Sequence, residues 1–120
     1  MMLTPARGEI YWLDFSPSIG SEMQNIHPAL IIQNNVANKV SNLTIVAAIT
    51  SNVMVANLPV GVLIESHDSG LSQNSVVHLG KVYTVDKKRL YKLTGRLSTK
   101  KMKEVDKAIL VSLGIRDFMM

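Results

Sequence analysis

Between Lys39 and Glu65 the chain carries no charged side chain, a stretch of 25 residues in a protein of 120. A run that long either crosses a membrane or is buried in a core. It is broken by Thr50-Ser51-Asn52, Asn57, Pro59 and Gly61, and turn residues at mid-bilayer would leave backbone N–H and C=O groups without partners. Two buried strands satisfy the pattern, so a membrane span is rejected. Hydrophobic residues make up 47% of the chain and charged residues 18%, enough apolar surface for a core and too few charges for disorder. At this length a single domain spanning 1–120 is expected, burying about two thirds of the unfolded chain's surface.

Similar runs recur along the chain. From Glu9 to Phe15, Tyr11, Leu13 and Phe15 alternate with Ile10 and Trp12, the period of a strand. A long loop then runs from Ser16 to His27-Pro28, where proline pushes its predecessor into an extended conformation. Ala29–Gln33 and Leu43–Thr50 read as core strands, with turn material at Asn34-Asn35 and Ser41-Asn42 between them. Val60–Glu65 and Ser75–Val85 read as further strands, divided by a loop in which Gly70 can take a positive φ. Asp86 caps a short turn through Arg89, and Tyr91–Leu97 alternates as one more strand. Ser98 suits an N-cap, and Met102, Val105, Ala108, Ile109 and Leu113 make one helical stripe that Gly114 ends. Several strands in series and one closing helix predict a mostly β fold, a small antiparallel sheet curled into a partial barrel with a C-terminal α-helix.

Charge is unevenly spread. Residues 1–80 hold two basic and five acidic side chains, residues 81–120 eleven and four. That asymmetry suits a polyanion partner, and equally a lysine-rich face that serves solubility. The absence of cysteine excludes disulfides, Cys-type zinc sites, iron–sulfur clusters and thiol nucleophiles. The wide spacing of His27, His67 and His78 carries no metal-ligand signature, and no phosphate loop, dinucleotide fingerprint, zinc-protease motif or nucleophile elbow is present. The N-terminus lacks a basic segment followed by an apolar one, so the protein is expected to stay in the cytoplasm.

The order of RGEIYWLDFSPSIGSE, HPALIIQN, VAAIT, Leu58-Pro59, SVVHL and TVDKKRL resembles the MazF/PemK family of toxin endoribonucleases, over almost the whole chain. The resemblance implies an SH3-like barrel, a homodimer, an acidic antitoxin partner, and cleavage of single-stranded RNA without a metal or other cofactor. Cleavage of this kind uses the RNA's own 2′-hydroxyl and leaves a 2′,3′-cyclic phosphate and a 5′-hydroxyl, so the protein supplies proton transfer and charge stabilisation. The family carries that task on an arginine before the proline and a threonine ending the VAAIT strand.

Thr50 matches the threonine, although a β-branched residue at that place also simply fills a strand. The arginine position holds His27, shorter and without a permanent charge, but suited to proton transfer near neutral pH. The family's glycine-rich step after Glu22 is replaced by Met23-Gln24-Asn25, and its usual glutamine and arginine by Lys81 and Tyr83. The resemblance thus implies His27 and Thr50 as catalytic residues and Ser21, Glu22, Asn34, Ser51, Leu58, Ser75, Lys81 and Tyr83 as RNA contacts. Tyr83, Trp12 and Phe15 are candidate stacking platforms. Blander roles stand beside these: strand-end capping for Asn34 and Ser75, core filling for Leu58 and Trp12. The His27 substitution motivates a second reading, a catalytically impaired relative that binds RNA or an antitoxin, or a gyrase poison of the related CcdB type.

Overall fold

Alternation in the first strand decides which residues form each face of the sheet. In the computed structural model, which describes residues 3–17 and 25–115, β1 (Glu9–Asp14) turns Tyr11 and Leu13 into one apolar cluster and Ile10 and Trp12 into the other. This is the alternation read from the sequence. β2 (Ile26–Ile31), β3 (Leu43–Thr50), β4 (Gly61–Ile64), β5 (Ser75–Asp86) and β6 (Leu90–Arg96) complete a six-stranded sheet. Its order is β4-β5-β3-β2-β1-β6, with every pairing antiparallel. It forms a curled half-barrel. One face buries Ile10, Leu30, Ala47, Ile49, Ile64 and Leu79 against Val105 and Ala108 of the C-terminal helix. The other gathers Tyr11, Leu13, Ala29, Ile31, Val46 and Leu90.

Two short helices connect strands, α1 (Asn35–Val40) and α2 (Ser66–Ser69), and a longer one, α3 (Thr99–Ser112), follows the last strand. In α3, the Ser98 hydroxyl accepts from the Lys101 N–H at 3.1 Å and Gly114 takes φ +74°, as its caps predict. Leu113 departs from the expected stripe, because it lies past the last helical residue and is exposed. α1 replaces an expected turn. Its Val36 and Val40 face solvent and only Asn38 is buried, so it shows none of the apolar period by which helices are recognised. Asn38 is held by Gln33 and Thr44, and the buried Lys87 ammonium donates to its backbone carbonyl. A further difference lies at β2, which starts at Ile26 and not after Pro28, so that His27 is a strand residue paired with Leu13. Among the described residues no helix is long and apolar enough to cross a membrane.

The barrel closes where α2 crosses β6. The Thr94 hydroxyl donates to the Ser69 carbonyl at 3.1 Å, and the two backbones meet through glycines. A Cβ on Gly70 would stand 2.1 Å from the Thr94 carbonyl oxygen, and one on Gly95 2.4 Å from that of Ser69. Gly70 also takes φ +77° and ends α2 in the left-handed conformation. Near the start of β1, the buried Glu9 carboxylate accepts from the Ala6 N–H, the Tyr11 hydroxyl and the Arg96 guanidinium. Burial, followed by the Glu9 charge and its hydrogen bond, pushes the Tyr11 phenol up to about 12.

Gly70→Ala should lower stability by at least about 2 kcal/mol in equilibrium denaturation, since strain and backbone overlap add. Gly114→Ala, at a similar φ but with nothing within 4 Å of the new Cβ, should cost only about 1 kcal/mol. Because the Tyr11 value in the folded chain lies above the unfolded one of about 10, its contribution is whole below pH 10 and is lost as pH rises towards 12. On the order of 1–2 kcal/mol should disappear across that window, allowing for solvent screening. Tyr11→Phe should remove that part of the decline when the two stability–pH curves are compared.

Candidate active site

The catalytic pair expected from the sequence is assembled by strand register. The β2–β3 ladder pairs Ala29 with Ala48 and Ile31 with Val46, and continuing it two positions brings His27 level with Thr50. Opposite residues of an antiparallel pair project to the same face. Pro28 sits just before the ladder begins, so its missing N–H removes no bond to β3. The Thr50 hydroxyl oxygen accepts from the Asn52 N–H at 3.1 Å, which fixes the oxygen and leaves its proton free to be donated.

Two adjoining clefts share His27, Ile49 and Thr50. The first, about 380 Å³, is completed by Trp12, Ser51, Gln73 and Ser75 among others. The second, about 520 Å³, is completed by Phe15, Ala48, Asn52, His78, Lys81 and Tyr83 together with Val55. Phe15 stands between two other rings, its centroid 6.2 Å from His27 in a tilted arrangement and 5.5 Å from Tyr83 edge to face. All three aromatic platforms proposed from the sequence thus border one cleft or the other.

The second cleft depends on an irregularity in β5. Ala47 pairs with Val82 but Ala48 pairs with His78, so Leu79, Gly80 and Lys81 have no partner on β3. Three extra residues reverse the alternation of the strand. His78 and Tyr83, five apart in sequence and so destined for opposite faces of a regular strand, stand opposite Ala48 and Val46 on one face. The displaced backbone is satisfied: Leu79 N–H donates to the Val60 carbonyl at 2.8 Å, the Ser112 hydroxyl of α3 donates to the Leu79 carbonyl at 2.7 Å, and Gly80 N–H donates to His78 Nδ1 at 3.0 Å.

Of the expected RNA contacts, Ser51, Ser75, Lys81 and Tyr83 border the clefts with His27 and Thr50. Ser75 is buried and its hydroxyl donates to the Gln73 carbonyl at 3.2 Å. Asn34 does not join them. It lies past the opposite end of β2 from His27, where its side chain caps α1 by accepting from the Ala37 N–H at 2.8 Å. Leu58 lines neither cleft either; it ends the 3₁₀ turn Val53–Asn57 with its side chain half in solvent. Ser21 and Glu22 lie outside the described residues. Sequence reasoning missed Asn52, Gln73 and His78 as cleft residues; Asn52 was legible as turn material, but Gln73 and His78 arrive by folding alone. His67 lies elsewhere, exposed beside Glu65 and Asp68 at 3.3 Å each. Among the described residues no three His, Cys, Asp or Glu side chains cluster to hold a metal. The basic excess is partly consumed internally, since Lys87 is buried, Arg96 is paired with Glu9 and Arg89 binds backbone.

Comparison with known proteins places this geometry. Residues 6–113 match the family described as PemK-like, MazF-like toxin of type II toxin–antitoxin systems. The chain is 40% identical over 112 residues to Endoribonuclease EndoA of Bacillus subtilis (strain 168), covering 93% of this chain and 97% of that one. It superposes on a chain of the MazE-MazF crystal structure (Form-III) from Deinococcus radiodurans with a TM-score of 0.75 at 25% identity, covering 93% of this chain and 98% of that one. An endoribonuclease from a Mycobacterial species shares the fold, with a TM-score of 0.77 at 23% identity and 95% of both chains covered.

Arg89 holds the chain that carries Phe15. Its guanidinium donates to the backbone carbonyls of Asp14, Ser16 and Pro17, while the Asp14 carboxylate accepts from the Ser16 N–H and hydroxyl. One planar fork spanning three carbonyls is a task that lysine's single ammonium cannot repeat. Arg89→Met should therefore lower stability by about 2–3 kcal/mol in urea denaturation, and Arg89→Lys should recover less than half of that.

Proposed function

Because the chain belongs to the PemK-like, MazF-like toxins of type II toxin–antitoxin systems, we propose that it acts as a metal-independent endoribonuclease on single-stranded RNA. The observation that carries this reading is the meeting of His27 and Thr50 in one cleft, two strands reaching it from distant parts of the chain. The reaction needs a base for the 2′-hydroxyl proton, donors for the phosphate oxygens, and an in-line path to the leaving oxygen. His27 takes the 2′-hydroxyl proton, the 2′-oxygen attacks phosphorus, the bond from phosphorus to O5′ breaks, and the departing oxygen takes a proton from water. The products are a 2′,3′-cyclic phosphate and a 5′-hydroxyl. Thr50, its oxygen already held by the Asn52 N–H, donates its proton to a non-bridging oxygen. Lys81 supplies a cation for the phosphate, Tyr83 offers a ring for a base, and Ser51 and Ser75 contact the strand alongside, as do Ser21 and Glu22.

The partners follow from the same family. An acidic antitoxin suits the basic C-terminal third, and a MazE-MazF complex is among the structural relatives. A homodimer in the cytoplasm is the assembly we propose, supported by an apolar groove of about 310 Å³ where Ile32, Ile45, Val82, Ile109 and Leu113 meet. The His27 substitution favours one competing reading, a relative that binds RNA or antitoxin, or poisons gyrase, without cutting RNA.

Purified protein should cut an unstructured transcript in the presence of EDTA and leave cyclic phosphate ends, mapped by end-specific ligation. Thr50→Ala should slow cleavage at least about tenfold, the loss of one oriented donor. His27→Arg should also slow it, because histidine has taken over proton transfer; faster cleavage by that variant would show a decayed site and support the competing reading.

A further inference from the structure

One imidazole in the second cleft has no part in the scheme above. His78 lines the same cleft as His27, Thr50 and Lys81. It stands opposite Ala48, which in turn stands opposite Ala29, and so shares a sheet face with Thr50. Two strand spacings and two residues of rise separate the Cα atoms of His27 and His78, about 12 Å. Between them the intervening strand presents Thr50, level with His27, and Ala48, opposite His78, so the two imidazoles flank a trough floored by a hydroxyl and a methyl. Lys81, three residues further on and re-aimed by the irregularity of β5, borders that trough.

A backbone hydrogen bond orients the His78 ring. Its Nδ1 accepts from the Gly80 N–H at 3.0 Å, and a Cβ on Gly80 would come within 2.7 Å of its Cε1. With the Nδ1 lone pair engaged, the proton of the neutral ring resides on Nε2. A ring so held offers Nε2–H as its donor.

We infer that His78 is a second catalytic imidazole, a backbone-oriented Nε2–H donor that hydrogen-bonds a phosphate oxygen as charge develops there, while His27 transfers the proton. This rests on the endoribonuclease reading and deepens it. A donor oriented in advance by its own backbone needs no reorganisation during the reaction, and losing one such donor typically slows an enzyme about 10²–10³-fold, an upper guide for a half-exposed site. The glycine at position 80 acquires a reason as well: any side chain there would push the ring out of place.

The test compares His78→Leu, His78→Gln and Gly80→Ala with the wild-type protein in single-turnover cleavage, with urea midpoints to establish that each folds. His78→Leu should cut kcat about 10- to 100-fold, with binding of a non-cleavable 2′-deoxy oligonucleotide changed less than about threefold. His78→Gln, whose amide keeps a donor near the place of Nε2, should recover most of the rate, and Gly80→Ala should fall with His78→Leu. The rate–pH profile should keep its shape in the His78 variants. Wild-type speed in His78→Leu, a glutamine variant as slow as the leucine one, or loss of one limb of the pH profile would each overturn the inference while leaving the ribonuclease reading intact. A wild-type protein that leaves RNA uncut would overturn both.

Discussion

The shape of the cleft depends on three residues of β5 that find no partner on β3. Leu79, Gly80 and Lys81 interrupt the ladder between β3 and β5, and because three is odd, the side chains on either side exchange faces. Without that exchange His78 and Tyr83 would lie on opposite sides of the sheet. Such an irregularity persists only if its backbone groups are paired. Here one partner comes from the turn before β4, one from α3 and one from the imidazole itself. The C-terminal helix therefore does more than cover a core: through Ser112 it ties the shape of the site to the packing on the other face.

Some charges that look available in the sequence are committed to architecture. Arg89 gathers three carbonyls, Lys87 lies under α1 against Asn38, and Arg96 joins Glu9 and Tyr11. Lys87, buried, and Arg89, half-buried, are worth more as hydrogen-bond donors than as a surface field. The remaining basic side chains, Lys81 among them, are the ones that can meet a polyanion.

The substitution of histidine where relatives are expected to carry arginine changes what the rest of the cleft must do. Arginine brings a permanent charge and a fork; histidine brings a proton it can give or take. In the proposed mechanism proton transfer falls to position 27 and the fixed donors lie elsewhere; Thr50 and His78 each accept from a neighbouring backbone N–H, which leaves a proton on each to donate. Phe15, between His27 and Tyr83, lends the same region an aromatic wall.

Most of the architecture was legible in the residues. The alternation of β1, the uncharged runs of β3 and β4, the caps at Asp86 and Ser98, the positive-φ glycine at 70 and the glycine stop at 114 are local signals, because they arise from sterics and hydrogen bonds within a few residues. α1 escaped notice for a local reason too: it buries an asparagine, not an apolar stripe. Register and the parity of β5 are different in kind. Which residue of β2 meets Thr50, why Asn34 caps a helix far from the cleft, and how His78 comes to face the same trough as His27 are decided by pairings between distant strands. The residues alone thus determined a curled antiparallel sheet with a closing helix, and the resemblance they carry singled out His27 and Thr50 as candidates; only the tertiary structure decided which side chains share the cleft, because strand pairing sets facing and no short-range preference encodes it.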